Sequence, residues 1–146
     1  STRPEEMGLA AQALEVVTRD LNAYTITHIC YGDFGTVFPQ LLSLPVDNLD
    51  LEMVNSDYFL LDVFREKGLP EDMAVSLGVT DVHTHEVETV SVIKEGILKG
   101  LEVLPPERLF IKPDCGLKTR TTDESIAKLK VMVQAVNEIK AEMGIS

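Results

Sequence analysis

Residues 108–120 read Arg108-Leu-Phe-Ile-Lys-Pro-Asp-Cys-Gly-Leu-Lys-Thr-Arg120. The first part, 108–112 (RLFIK), has the aromatic and branched apolar content of a strand. Asp114-Cys115-Gly116 forms the loop that follows, a tight turn able to present a thiol. Beyond it, Thr122 or Asp123 is placed to cap a helix over 124–143, whose apolar stripe includes Ile126, Leu129, Val133, Val136 and Ile139. The stretch therefore reads as one strand–loop–helix unit with a cysteine at the carboxyl end of its strand.

The same unit recurs upstream. Residues 23–30 (AYTITHIC) read as a strand, Gly32 to Phe34 turn the chain, and 37–44 read as a short helix despite Pro39. Residues 49–54 form the next strand, and Ser56-Asp57 can cap a helix through Arg65 that Gly68 and Pro70 end. Residues 73–79 are a third strand, 81–85 a turn, and 87–103 a helix stopped by Pro105-Pro106. A helix over 9–21 precedes them all. Strands begin roughly 25–35 residues apart, the spacing of parallel strands joined by right-handed helical crossovers. By pattern alone, four such units are a small open sheet or half of an eightfold barrel of about 250 residues.

Composition narrows the class. The 146 residues are 45% hydrophobic, enough for a packed core. The net charge of −11, with 13 scattered Lys and Arg, offers no clustered cationic surface, so nucleic acid is not an expected partner. No run of about 18 apolar residues marks a membrane span. The start, Ser1-Thr2-Arg3-Pro4, lacks a signal-peptide core, which makes the cytoplasm the expected compartment. With two cysteines, Cys30 and Cys115, a disulfide scaffold is not expected, and reduced thiols are.

Residues capable of chemistry fall at comparable places. His28 and Cys30 end the first strand, Glu52 ends the second, His83 lies beyond the third, and Asp114 and Cys115 lie beyond the fourth. Carboxyl ends of parallel strands share one face of an α/β fold, so these residues are expected to converge. His28 and Cys30, two apart on a strand, point to the same side. Glu52 sits in apolar surroundings where a carboxylate needs a cation or a hydrogen-bond partner. Histidine, thiolate and carboxylate together suit tetrahedral zinc. Residue type and spacing leave the plainer readings open: a hydrogen-bonded strand histidine, small buried cysteines, and a glutamate paired with a lysine or arginine.

Motifs in family order add to this. His28-Ile-Cys-Tyr31, Asp50-Leu-Glu52, Gly78-Val-Thr-Asp-Val-His83 and Pro113-Asp-Cys-Gly-Leu-Lys-Thr-Arg120 resemble segments of the C-terminal barrel of cobalamin-independent methionine synthase, the last of them in full. The resemblance implies that residues 1–146 are the C-terminal half of a (β/α)8 barrel, about its last four β–α units, and a fragment of a longer chain or one that assembles with a partner half. It implies zinc held by His28, Cys30, Glu52 and Cys115, with His83 moving protons near the methyl donor. Asp114 is expected to line the substrate pocket or to orient a ligand. The implied reaction is methyl transfer to the thiol of homocysteine, giving methionine.

Two segments depart from the family pattern, Glu52-Met-Val-Asn-Ser56 and Thr84-His-Glu-Val-Glu88, both where the family holds its methyl donor. Both methyltetrahydrofolate and a methylated corrinoid protein therefore stand as expected donors, and the chain is most similar to the short, single-barrel archaeal and bacterial type. A zinc alkyltransferase acting on another thiol, such as coenzyme M, and a non-catalytic zinc-stabilised domain are the alternatives.

Overall fold

The computed structural model describes residues 4–30, 38 and 40–145. Helix α1 (Pro4–Thr18) leads into strand β1 (Ile26–Ile29), followed by β2 (Asn48–Leu51), helix α2 (Phe59–Lys67), β3 (Ala74–Thr80), α3 (Val90–Leu101), β4 (Leu109–Pro113) and α4 (Thr122–Met143). The expected turn at Gly32 to Phe34 lies outside the described residues, as do Val37 and Pro39 of the expected short helix; residues 38, 40 and 41 are helical.

Among the described residues the strands form one four-stranded sheet in the order β1-β2-β3-β4, all parallel. Each strand lies beside its sequence neighbour. The strand order thus progresses in one direction, as around a barrel wall, with none of the reversal that defines a doubly wound open sheet.

Register divides the sheet into two chemically different faces, because residues paired across parallel strands point the same way. Thr27 pairs with Leu49, Leu49 with Val75, and Val75 with Leu109; Ile29, Leu51, Leu77 and Ile111 form the next row. This face is the core. Leu49, Leu51, Val75 and Leu77 pack with Leu60 and Phe64 of α2, Ile93 and Ile97 of α3, and Met132, Ala135 and Ile139 of α4. Each such buried side chain contributes roughly 1.5–3 kcal/mol of transfer free energy. Close approach is set by Gly100, where a methyl group would strike Leu77 and Leu109.

The opposite face carries Asn48, Asp50, Ser76, Gly78 and Lys112, in line with His28. Polar residues share it with Ile26, Ala74 and Phe110, and it corresponds to the inside of a barrel. Both sheet edges and the outer helices remain partly apolar: Ile26 is 55% exposed, Phe110 45%, Val16 of α1 71% and Val133 of α4 52%.

Two helix starts differ from expectation. Ser56 and Asp57 do not cap α2. Val54–Ser56 form a 3-10 turn in which Ser56 Oγ donates to the Met53 carbonyl at 3.1 Å, and the cap position is Tyr58, with no side-chain cap. Asp57 and Tyr58 both take left-handed backbone, with φ of 47° and 60°, so the chain turns sharply after β2. The last helix is capped one residue earlier than expected, by Thr121, whose Oγ1 accepts from Glu124 N while the Glu124 carboxylate accepts from Thr121 N. The reciprocal pair satisfies two backbone donors, which a cap at Thr122 or Asp123 would leave without these partners.

Candidate metal centre

The carboxyl ends of β1, β2 and β4 bring four donors together. His28 and Cys30 come from β1 and its end, Glu52 from just beyond β2, and Cys115 from the loop after β4. One ligand atom from each lies within 4.8 Å of all the others. His28 Nε2 is 2.7 Å from Cys30 Sγ and 3.4 Å from Cys115 Sγ, and the two sulfurs are 3.3 Å apart, too far for a disulfide. The proximity and the donor types of the group suit one tetrahedral ion.

Two observations fit a cation to these donors. Glu52 is 6% exposed, and its Oε1 is buried with no hydrogen-bond partner. An unpaired buried carboxylate oxygen is costly unless a cation or donor meets it. The thiols are crowded as well. Desolvation, then the neighbouring Cys115 thiol and the Glu52 carboxylate, push the Cys30 thiol up to about 11. A metal cation at this point would favour the thiolate forms that these surroundings otherwise oppose.

Asp114 is fully buried. Its Oδ1 accepts from the backbone N–H of Met53 at 2.9 Å and of Val54 at 3.2 Å, and its Oδ2 from Asn55 Nδ2 at 3.3 Å. These bonds tie the Cys115 loop to the chain next to Glu52. Desolvation raises the Asp114 carboxyl above the usual range, opposed by the Met53 and Val54 amides. Its carboxylate thus meets the backbone of Met53 and Val54 and the side chain of Asn55.

His83 is exposed and lies outside the four-donor group, three residues past the end of β3. Its backbone N–H donates to Asp81 Oδ1 at 2.7 Å. The loop that carries it is fastened to α4 at two points. Lys128, 1% exposed, donates to the Glu86 carbonyl and to Glu88 Oε2 at 3.0 Å, while Glu88 Oε1 accepts from Asp81 N at 2.7 Å. His85 Nδ1 lies 2.8 Å from Glu124 Oε1.

Asp50 and Lys112 escaped the reading of the sequence. His28 Nδ1 is 2.8 Å from Asp50 Oδ1, and Lys112 bridges to the same oxygen and donates to the Asp114 carbonyl at 2.6 Å. The signal was present in Asn48-Leu-Asp-Leu-Glu52, where every second residue is polar along a strand otherwise buried.

Comparison with known proteins agrees with this architecture. The family model described as "Cobalamin-independent synthase, Catalytic domain" matches residues 3–138. A 5-methyltetrahydropteroyltriglutamate–homocysteine methyltransferase of Haemophilus influenzae (strain PittEE) is 39% identical over 118 residues, which is 81% of this chain and 15% of that protein. One of the same name from Neisseria meningitidis is 37% identical over the same length. The chain thus spans about 15% of the length of the curated relatives it matches. Among solved structures, a B12-independent methionine synthase from Shewanella sp. W3-18-1, in complex with selenomethionine, superposes with a TM-score of 0.81 at 24% identity, covering 95% of this chain and 45% of that one. A putative vitamin-B12 independent methionine synthase from Listeria monocytogenes gives 0.65 at 22% identity, covering 91% and 41%. These two likenesses establish the fold as that of the barrel enzymes. With parallel strands in unbroken order, and a family match across nearly its whole length, the chain belongs to the cobalamin-independent methionine synthase family.

Proposed function

We propose that the protein containing this chain is a zinc-dependent methyltransferase that transfers a methyl group to the thiol of homocysteine, giving methionine. The observation that carries the reading is the four-donor group with its unpaired, buried Glu52 oxygen. The curated relatives are named as methyltransferases using a methylated folate, which favours methyltetrahydrofolate over a corrinoid protein as donor. His28, Cys30, Glu52 and Cys115 would hold zinc. Zinc there supplies a divalent cation that favours the deprotonated form of a substrate thiol at neutral pH.

This chain's residues divide the remaining work. Two cysteines and a histidine from β1 and the β4 loop provide a soft, anionic seat. Glu52, whose Oε1 is buried without a hydrogen-bond partner, would be the carboxylate ligand of that set. Asp114 fixes the Cys115 loop through backbone amides. His83 acts as proton carrier, on a loop held in place by Lys128. Reduced thiols in the ligand set suit the cytoplasm.

The barrel is completed by further strands beyond this chain, from the rest of a longer chain or from a partner half. Exposed Ile26 and Phe110 on the edge strands, and Val16 and Val133 on the outer helices, are the surfaces they would cover. The test is zinc content and methyl transfer measured together on the full-length protein. The reading expects one zinc per site, lost in Cys115→Ser, and methionine formed from homocysteine and methyltetrahydrofolate. No methionine from either a folate or a corrinoid donor would refute it.

A further inference from the structure

The polar face of the sheet holds a charged pair that the four donors do not include. Asp50 stands directly opposite His28 in the β1–β2 register. Its Oδ1 lies 2.8 Å from His28 Nδ1, while Nε2, the other ring nitrogen, faces the two sulfurs. A carboxylate at that distance accepts a charge-assisted hydrogen bond from Nδ1–H. That leaves the Nε2 lone pair directed at the thiols.

Lys112 fixes the carboxylate in turn. It reaches from β4 past β3 to Asp50 on β2. Its Nζ pairs with Asp50 Oδ1 and donates to the Asp114 carbonyl, one residue before Cys115. The Lys112 and Asp50 side chains are 16% and 21% exposed, so water screens the pair less than a surface ion pair. Three strands are thereby tied to one imidazole and one thiol-bearing loop. The 3.4 Å approach of Lys112 Nζ to His28 Nδ1 is the weaker contact, since its ammonium is already engaged by the carboxylate and the carbonyl.

We propose that Asp50 is a positioning residue for His28, committing its Nε2 as the metal-binding atom, and that Lys112 holds Asp50 in that position. The inference rests on reading His28, Cys30, Glu52 and Cys115 as metal ligands. A carboxylate behind a ligating histidine fixes the tautomer and ring orientation and makes the other nitrogen a better donor.

The experiment is zinc affinity of the full-length protein, measured by competition with a chelator, alongside thermal unfolding of the zinc-free form. Asp50→Ala is expected to bind zinc about 10–100-fold more weakly. Asp50→Asn, which keeps the shape and a neutral acceptor, is expected to lose less, about threefold to tenfold. The double variant Asp50→Ala/Lys112→Met should stay as weak as Asp50→Ala, because the tautomer is uncontrolled in both. Wild-type affinity in both Asp50 variants would overturn the proposal. So would recovery in the double variant, which would assign the loss to an unpaired Lys112 charge. A fall in zinc-free stability with zinc affinity unchanged would also overturn it, as a merely structural role. Cys115→Ser is the separate control: if it binds zinc as tightly as the unsubstituted protein, the ligand assignment fails, independently of Asp50.

Discussion

Asp114 rests its carboxylate in the space that Gly78 leaves by having no side chain. A methyl group built on Gly78 would fall on Asp114 Oδ1, the same oxygen that accepts from Met53 N at 2.9 Å and Val54 N at 3.2 Å. Backbone of β3, the loop after β4 and the chain beyond β2 are packed against one another through this contact. Gly78→Ala must therefore push Asp114 away from both amides. The expected cost is about 1–3 kcal/mol, as for other overpacked interiors, read as a lower denaturant midpoint, with zinc content falling as the Cys115 loop shifts.

Asp114→Ala tests the same joint from the other side. It removes the acceptor for two backbone amides at a fully buried position. A loss of about 1–3 kcal/mol for each buried donor left without a partner sets the scale. Asp114→Asn retains an acceptor oxygen and should lose less. Equal stability of Asp114→Ala and the unsubstituted protein in urea unfolding would contradict the geometry.

Lys128 is a charged group in the protein interior, compensated by Glu88 and the Glu86 carbonyl. Lys128→Ala leaves Glu88 without its counter-ion, and breaking a buried pair from one side costs about 3–5 kcal/mol. Lys128→Met with Glu88→Gln removes both charges and should be considerably less damaging, a positive coupling in a double-mutant cycle. Amide exchange in residues 81–89 should quicken in Lys128→Ala, because this pair fastens the loop bearing His83.

Glu124 gives a pH signature. The backbone N–H of Thr121, then His85, holds its carboxyl at about 2, against an ordinary 4.5. The unfolded chain therefore takes up this proton at higher pH than the folded one. The stability Glu124 contributes is present in full above about 4.5 and is lost as pH falls toward about 2. Thermal midpoints of Glu124→Gln should fall less steeply with acid across that window than those of the unsubstituted protein.

His83→Ala separates proton transfer from metal binding. Under the proposed function kcat should fall by about 10²–10⁴-fold, with zinc content unchanged because His83 lies outside the four-donor group. Loss of zinc in this variant would move His83 from the reaction to the metal site.

Much of this was legible without coordinates. Apolar runs separated by helical periods gave the strands that became β1 to β4, with ends shifted by a few residues. The helix starts were less legible. Ser56-Asp57 has the composition of a cap, yet tight packing of Tyr58 against Gly96 and the turn after β2 set the start of α2 instead. Thr121, Thr122 and Asp123 are all acceptable caps by type, and only the Glu124 carboxylate returning to Thr121 N selects the first.

What the sequence determined by itself was the class and the inventory: parallel β–α units, and His28, Cys30, Glu52 and Cys115 at strand ends in a recognisable family order. These follow from local physics, since periodicity fixes which elements form and parallel topology sends their carboxyl ends to one side. Tertiary structure decided which donors meet and what supports them. His28 and Cys115 are 87 residues apart, yet Nε2 and Sγ lie 3.4 Å from each other. Strand order and register produced that contact, and the same register set Asp50 against His28. Such pairings are cross-strand distances, and a linear sequence does not display them.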